Sequence, residues 1–428
     1  MPVFALVDCN NFYASCEKLF NPALQNIPVV VLSNNDGCVV ARSAEVKALG
    51  IPMGVPWFKI QEEAKRHGIV AFSSNYSLYA DLSNRVVEVL SQFSPNVEVY
   101  SIDESFLEFS GFERIGYTSH GIEIRQRVAD WLGLAVCVGI GATKTLAKLA
   151  NHCAKKQLAG MDGVCDFTTM DMESLTHLFE RIDVGEVWGV GRKISMRLAE
   201  MKIQTVRQLR DSDAESIRSQ FSVVLERTVR ELRGLSCLNL EEVAPARQQI
   251  MSSRSFGQLV YDRSDLEEAV AAYISRAAEK LRGQESLAGA LQVYIRTNIF
   301  NPEAPQYQKS VTVPLPEATA DSRTLTAWGL RVLRRIYRPG YGYHKAGIAL
   351  MDIVPRANQQ FSLLAPTGLV SARSESLMDA MDSINKRYGR GTLKLAAEGI
   401  NNQWRMRRGH LSPRFTTAWD EIPQVRAR

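Results

Sequence analysis

The sequence has no long hydrophobic run, no paired cysteines and few histidines. No apolar stretch approaches the roughly 20 residues of a membrane-spanning helix, so we expect none. The N-terminus lacks the basic region and the long apolar core of a signal peptide. The seven cysteines form no Cys-x-x-Cys pair, and the six histidines are scattered. We therefore expect neither a disulfide framework nor a zinc site, and we expect a cytoplasmic location.

The composition is that of an ordinary globular protein with several domains. Of the 428 residues, 45% are hydrophobic and 23% are charged, and a chain of this length forms roughly two to four domains. Residues 1–245 carry 25 Lys and Arg against 30 Asp and Glu, whereas residues 246–428 carry 26 against 16. The basic C-terminal part favours binding of a polyanion, although a solvated basic surface would give the same excess.

Carboxylates interrupt two apolar, strand-like segments. Asp8 ends the apolar run at residues 3–7, and Asp103 and Glu104 lie within VEVYSIDESFLEF at residues 97–109. If these strands are neighbours, the three carboxylates converge, and such a set suits Mg²⁺-dependent phosphoryl transfer. The alternatives are a turn aspartate and an acidic pair in a solvated loop.

The remaining patterns divide the chain into an α+β part, a helical part and a second α+β part. Helices are predicted at residues 40–50, 74–92, 121–133 and 143–156, between strands. Residues 171–236 show a wholly helical pattern. From residue 251 onwards the elements follow the β-α-β-β-α-β order of a ferredoxin-like split βαβ unit.

A Gly-x-Gly turn, Gly189-Val190-Gly191, stands between helical segments and is followed by Arg192 and Lys193. Such a turn opens a helix whose free N–H groups can hold a DNA backbone phosphate, as in a helix–hairpin–helix. An ordinary tight turn between helices is the alternative.

The segment at residues 139–145 contains glycines and a lysine but does not have the spacing of an ATPase phosphate loop. Only two residues separate Gly141 from Lys144, whereas the loop requires Gly directly before Lys. The glycines are expected to allow a sharp strand-to-helix turn. On the helix that follows, Lys148 and Lys155 share a face and could meet a triphosphate, although a solvated helix face is the default.

Several long blocks resemble Y-family translesion DNA polymerases, in particular the UmuC/MucB/RumB group, which includes the catalytic subunit of DNA polymerase V. The blocks lie at residues 31–59, 72–85, 100–106, 142–156, 187–193, 223–234 and 411–417. The resemblance implies an α+β multidomain right-hand polymerase. Its parts would be a palm (1–20 and 72–170), small fingers (21–71), a helical thumb with a helix–hairpin–helix (171–240), a ferredoxin-like little finger (246–355), and a C-terminal tail for partner and clamp contacts (356–428).

The resemblance also implies a reaction and its metal ligands. The chain would be an error-prone, template-directed DNA polymerase for translesion synthesis in the SOS response, joining a dNTP to a primer 3′-OH. Asp8, Asp103 and Glu104 would be the catalytic carboxylates that bind two Mg²⁺ ions, with Mn²⁺ as an alternative. The main-chain carbonyl of Cys9 would also face a metal.

Further residues are implied at the nucleotide. Tyr13, beside Phe12, falls at the steric-gate position, where its ring would crowd a ribose 2′-OH and favour deoxynucleotides. Lys155 matches the lysine that meets the incoming triphosphate. Where many family members carry an arginine toward the triphosphate, this chain has Lys47. Arg42 is a second candidate for that contact, and the choice between the two stays open.

The implied partners are primer–template DNA, dNTP, a UmuD′-type dimer, a RecA filament and the sliding clamp. The candidate clamp peptide is Gln360-Phe361-Ser362-Leu363-Leu364, which departs from Gln-Leu-x-Leu-Phe at its second and last positions. Two other functions remain possible on the residues alone. One is another two-metal nucleotidyl-transfer enzyme on a palm fold, such as a nucleotidyl cyclase, and the other is a non-catalytic DNA-binding scaffold.

Overall fold

The computed structural model describes residues 2–241, 246–358, 372–400, 404 and 406–422. Its contacts divide into two compact units. The first contains Met1–Leu32, Cys38–Ala244 and His410–Arg428, and the second contains Ser33–Gly37 and Pro245–Gly409. Among the helices of the described residues, none combines the length and apolar character needed to cross a membrane.

The first unit begins with alternating strands and helices. In chain order they are β1 (Phe4–Cys9), α1 (Phe12–Leu19), β2 (Val29–Leu32), β3 (Val39–Arg42), α2 (Ala44–Ala48), α3 (Trp57–Arg66), β4 (Val70–Ser73), α4 (Tyr76–Leu90), β5 (Val97–Val99), β6 (Glu104–Glu108), α5 (Tyr117–Leu132), β7 (Val136–Gly141), α6 (Lys144–Lys156) and β8 (Val164–Asp166).

The largest sheet of this unit has the strand order β5-β6-β1-β7-β8. All six residues of β1 are buried, which explains its continuous apolar run, because a strand covered on both faces does not alternate. Ala5 and Val7 belong to the core formed with α4 and α5, whereas Phe4 and Leu6 pack toward α6. Side chains alternate along a strand, so Asp8 shares the α6 face with Leu6.

A second, three-stranded sheet has the order β3-β2-β4. The helix predicted at residues 40–50 is wrong in its first part, since Val39–Arg42 form β3 and α2 begins only at Ala44. Pairing with β2, where Val30 lies opposite Arg42, overrides the weak helical pattern, and the β-branched valines suit a strand.

Residues 172–232 are mainly helical, as the pattern indicates, with one additional helix. The helices are α7 (Met172–Glu180), α8 (Arg192–Glu200), α9 (Val206–Asp211), α10 (Ala214–Gln220) and α11 (Val223–Leu232). Helix α10 was not predicted. Residues 187–191 precede α8, which agrees with the predicted Gly-x-Gly turn, and Gly189 adopts a left-handed φ of 87° that a right-handed helix excludes.

Within its described residues, the second unit contains the six predicted elements and a further α-helix. They are β9 (Ile250–Val260), α12 (Arg263–Gly283), β10 (Ser286–Arg296), β11 (Gln308–Thr319), α13 (Ser322–Ile336), β12 (Tyr343–Pro355) and α14 (Ala372–Tyr388). The strand order is β11-β10-β12-β9, and all paired strands are antiparallel. Strand β12 separates β9 from β10, so this is the split βαβ arrangement that the sequence predicts.

Close packing of α6 on β7 explains the glycines at residues 139 and 141. A Cβ on Gly139 would overlap main-chain atoms of Ala147 and Asn151, and one on Gly141 would lie 2.8 Å from Leu146 Cβ. The glycines therefore admit a helix close against the strand, which corrects the expectation that they serve a sharp turn. Asn151 Nδ2 then donates to the Cys137 carbonyl at 2.8 Å.

Candidate active site

Three carboxylates lie at one end of the central strands of the first sheet. Asp8 is opposite Glu104 in the antiparallel β1–β6 pair. Asp103 precedes β6, and its main-chain carbonyl accepts a hydrogen bond from Cys9 N at 2.9 Å. Ser101 Oγ donates to Asp103 Oδ1 at 2.6 Å and accepts from Glu104 N at 3.0 Å. The pairing of the two strands, on which convergence depends, is thus present.

Helix α6 places lysines over this acidic edge. Lys155 Nζ forms an ion pair with Asp8, and Lys148 Nζ lies 2.7 Å from Glu104 Oε2. The two lysines are seven residues apart and share a face of the helix, as their spacing indicates. They contact the carboxylates directly, which spacing did not reveal.

Burial raises the pKa of the Asp8 carboxyl from 3.8 to about 7, because the charged form loses its hydration. The nearby Glu104 raises the pKa further, whereas Lys155 opposes both effects. A site that crowds two carboxylates favours either a proton or a cation. The pair therefore has the donor chemistry for a divalent metal.

Asp8 and Glu104 contact each other and each also contacts a lysine, whereas Asp103 accepts a hydrogen bond from Ser101. Within the described ranges, no three His, Cys, Asp or Glu side chains are arranged to hold a metal ion. A cation at this edge would compete with Lys155 for Asp8 and with Lys148 for Glu104.

A cavity of about 290 Å³ opens beside Asp8. It brings together all the residues that the resemblance assigns to metal and nucleotide, except Glu104. The lining contains Asp8, Cys9, Phe12, Tyr13, Arg42, Lys47, Asp103 and Lys155, together with Asn11, Val40, Ala41, Met53 and Ile102. The volume is near the lower end for a small-molecule site, roughly 300 Å³.

A second cleft, of about 830 Å³, shares Asn11, Lys47 and Lys155 with this cavity. Lys156 and Arg125 also line it, so it presents several positive charges. Such a cleft suits the phosphates of a nucleotide.

The aromatic pair on α1 separates into a core residue and a cavity residue. Phe12 is 3% exposed and belongs to the hydrophobic core, although it borders the cavity. The half-buried Tyr13 ring stacks on Tyr79, with ring centroids 4.5 Å apart and planes at 17°, and meets the edge of Tyr76. Contacts with Tyr79 and Tyr76 therefore hold the Tyr13 ring.

The two basic candidates of the small sheet come from different elements. Arg42 ends β3, and its Nη1 donates to the Ile51 carbonyl. Lys47 lies on α2, and its Nζ donates to Asn11 Oδ1. Burial lowers the pKa of Lys47, and the charge of Arg42 lowers it further. Both line the cavity, and Lys47 also lines the basic cleft.

The Gly-x-Gly turn opens helix α8, as predicted. Gly191 is the residue directly before the helix, and Arg192 and Lys193 are exposed. Trp188, just before the turn, donates from Nε1 to Tyr100 Oη at 3.1 Å. The turn therefore lies next to the hairpin that carries Asp103 and Glu104.

A buried ion pair that the sequence did not predict lies in the same region. Lys144 Nζ lies 2.6 Å from Glu98 Oε2, with both side chains less than a tenth exposed. Glu98 also accepts from Glu241 N at 2.7 Å. A charged residue within the short strand β5 was the only available signal. The candidate clamp peptide, Gln360, Phe361, Leu363 and Leu364, lies outside the described residues.

Known protein families match most of the chain. The impB/mucB/samB family model matches residues 7–152, its C-terminal domain matches residues 247–363, and the Domain of unknown function (DUF4113) matches residues 375–425. The protein UmuC of Salmonella typhimurium is 47% identical over 425 residues, which span 99% of this chain and 100% of that one. The chain belongs to the impB/mucB/samB family.

More distant relatives extend this family assignment to the fold. DNA polymerase IV of Desulfatibacillum aliphaticivorans is 25% identical over 394 residues, which span 91% of this chain and 95% of that one. A Y-family DNA polymerase chimera of Dbh and Dpo4 superimposes with a TM-score of 0.63 at 20% identity, covering 82% of this chain and 99% of the chimera. This impB/mucB/samB protein therefore has the Y-family polymerase fold, and the resemblance to the UmuC-type group is confirmed.

Proposed function

We propose that this impB/mucB/samB protein is an error-prone, template-directed DNA polymerase that performs translesion synthesis in the SOS response. One observation carries the proposal: a single cavity is lined by two acidic residues, an aromatic gate candidate and basic residues. The family assignment and the DNA polymerase IV relative support it. Its substrates would be primer–template DNA and a dNTP, and its location the cytoplasm.

Asp8, Asp103 and Glu104 would hold two Mg²⁺ ions, or Mn²⁺, together with the Cys9 carbonyl. When bound, the metals would lower the pKa of the primer 3′-OH and neutralise the triphosphate. We assign Asp8 and Asp103 to both ions and Glu104 to the primer-side ion. The raised pKa of Asp8 supports metal binding at this residue, because a dication relieves the same crowding that a proton relieves.

The remaining cavity residues would position the nucleotide. Lys155, once separated from Asp8, is free to pair with the triphosphate, and Lys47 or Arg42 would add a second positive charge. Tyr13 would lie against the sugar, where an added 2′-OH meets its ring. This positioning and charge neutralisation would supply most of the catalysis.

DNA would be held outside the cavity by sequence-independent contacts. The N–H groups after Gly189 and Gly191, with Arg192 and Lys193, would hold a backbone phosphate. We assign the palm to residues 1–20 and 72–170, the fingers to 21–71, the thumb to 171–240, and the little finger to 246–355. A UmuD′-type dimer, a RecA filament and the sliding clamp would be partners, the clamp binding at residues 360–364 in the tail (356–428).

Primer extension tests the proposal. The purified protein, with a UmuD′-type dimer and an activated RecA filament, is given Mg²⁺, dNTPs and a primer on undamaged or abasic template. We expect primer-dependent extension past the lesion, with frequent misincorporation on the undamaged template. Nucleotide turnover without a primer would favour the cyclase alternative. DNA binding with no extension would favour the scaffold, and high base selectivity would contradict the error-prone assignment.

A further inference from the structure

The C-terminal strap, defined as residues 410–415, lies beside α1, which carries Tyr13, the candidate sugar gate. It joins first to β4, the edge strand of the small sheet. Ser73 N donates to the His410 carbonyl at 2.9 Å, and His410 N donates to Ser73 Oγ at 3.0 Å. A parallel bridge between Ser73 and Leu411 results, and it fixes the start of the strap.

Asn75 ties the strap to the N-terminus of α4. Its Oδ1 accepts from Leu78 N and caps the helix. Its Nδ2 donates to Ser412 Oγ at 2.9 Å and to the carbonyls of Ser412 and Pro413, both at 3.1 Å. Asn75 is 3% exposed and Ser412 is 6% exposed, so these bonds are shielded from water and are costly to break.

Ser412 connects to Tyr13 through two buried side chains. Its Oγ donates to Glu17 Oε1 at 3.1 Å, and Tyr79 Oη donates to the same oxygen at 2.5 Å. The fully buried Tyr79 ring then stacks on Tyr13. Glu17 is one turn after Tyr13 on α1. A hydroxyl, a carboxyl and two rings thus form one continuous chain of contacts from the strap to the gate.

Phe415 of the strap also packs beside α1. The Glu17 carboxyl, between the strap and Tyr79, has few hydrogen-bond partners. Phe415 stacks on Phe20, directly after α1, with centroids 4.7 Å apart. Glu17 is 2% exposed, and its Oε2 is buried with no hydrogen-bond partner in the described part of the chain. Because a buried carboxyl with so few donors depends on each of them, loss of the Ser412 hydroxyl should disturb Glu17.

We propose that the C-terminal strap sets the sugar discrimination of the active site, with Ser412 as a positioning residue. Its bond to Glu17 holds Tyr79, and Tyr79 holds the Tyr13 ring where it excludes a ribose 2′-OH. The inference rests on the proposed polymerase function. It gives residues 410–415, which lie within the DUF4113 match, a role in substrate choice although they are distant in sequence from Tyr13.

Single-nucleotide insertion with dNTP and the matching rNTP tests the proposal in the full-length protein with its partners. We expect Ser412→Ala to lower the dNTP/rNTP ratio of kcat/KM roughly fivefold, the factor for one ordinary hydrogen bond. Tyr79→Phe should have a similar effect, and the double variant should add little because the two act through one carboxyl. Ser412→Thr, which keeps the hydroxyl, should retain most of the discrimination. The exposed Thr417→Ala is the matched control.

The outcomes separate this proposal from the polymerase function itself. If Tyr13→Ala lowers the ratio but Ser412→Ala does not, the strap proposal is wrong and the gate stands. If the wild type inserts neither nucleotide, the polymerase function fails and the strap proposal fails with it. Hydrogen exchange of the α1 amides provides a readout without activity. Exchange should be faster in Ser412→Ala than in Thr417→Ala, and equal rates would contradict the proposal.

Discussion

Replacing Asp8 with asparagine should stabilise the metal-free protein, and the gain should grow with pH. The folded protein holds the Asp8 proton to about pH 7, whereas the unfolded chain releases it near pH 3.8. The destabilisation caused by Asp8 is therefore absent below the lower pKa, grows as pH rises through this window, and is constant above it. Asp8→Asn removes an ionisable group that the fold disfavours as a charge.

The size of the stabilisation by Asp8→Asn follows from the shift in the pKa of Asp8. A change from 3.8 to about 7 corresponds to at most about 4 kcal/mol, at about 1.4 kcal/mol for each pKa unit. Between about pH 5.5 and about pH 8.5, the difference in unfolding free energy between Asp8→Asn and wild type should widen by about 2 kcal/mol. For a unit of this size, that is about 4–8 °C in Tm.

Calorimetry in EDTA at the two pH values measures this difference, with the exposed Asp130→Asn as the control. Mg²⁺ should then raise the Tm of wild type at the higher pH, because a ligand that binds only the folded state stabilises it. Asp8→Asn should gain little from Mg²⁺. A difference that does not change with pH would contradict the raised pKa of Asp8, and equal stabilisation of both proteins by Mg²⁺ would contradict metal binding at Asp8.

Three further predictions concern packing and charge. Glu98→Ala strands Lys144 and should cost about 3–5 kcal/mol in urea unfolding; a cost equal to that of exposed Glu88→Ala would contradict this. Gly139→Ala should cost about 1–3 kcal/mol by displacing α6, whereas Gly283→Ala, in open space, should not. Lys155→Ala should raise the KM for dNTP by about tenfold or more in steady-state insertion, and no change would remove Lys155 from the triphosphate.

Local patterns predicted the strands and helices that build the site better than its side-chain contacts. The apolar run before Asp8 and the acidic pair in residues 97–109 located two strands, and the β1–β6 register brings Asp8 opposite Glu104. The partners Lys148 and Lys155 depend on how closely α6 approaches β7. Gly139 permits this close approach, whereas from the sequence we expected it only to allow a turn.

Strand pairing and long sequence separation explain the other differences between the predictions from the sequence and the structure. Residues 40–42 have a weak helical pattern, but β2 offers them a strand partner, so Arg42 and Lys47 reach the cavity from different elements. The bond between Ser412 and Glu17 joins residues 395 positions apart. No local pattern predicts such a contact, although the block at residues 411–417 belonged to the family resemblance.

The rate of single-nucleotide insertion by Asp103→Ala tests the proposed catalytic site most directly. The variant is compared with Asp130→Ala, an exposed acid on α5, on the same primer–template with the same partners over a range of Mg²⁺ and Mn²⁺ concentrations. We predict that Asp130→Ala inserts at the wild-type rate, whereas Asp103→Ala binds DNA normally but inserts no nucleotide at any metal concentration. Insertion by Asp103→Ala at the wild-type rate would show that the carboxylates at the end of β1 and β6 do not form the catalytic site.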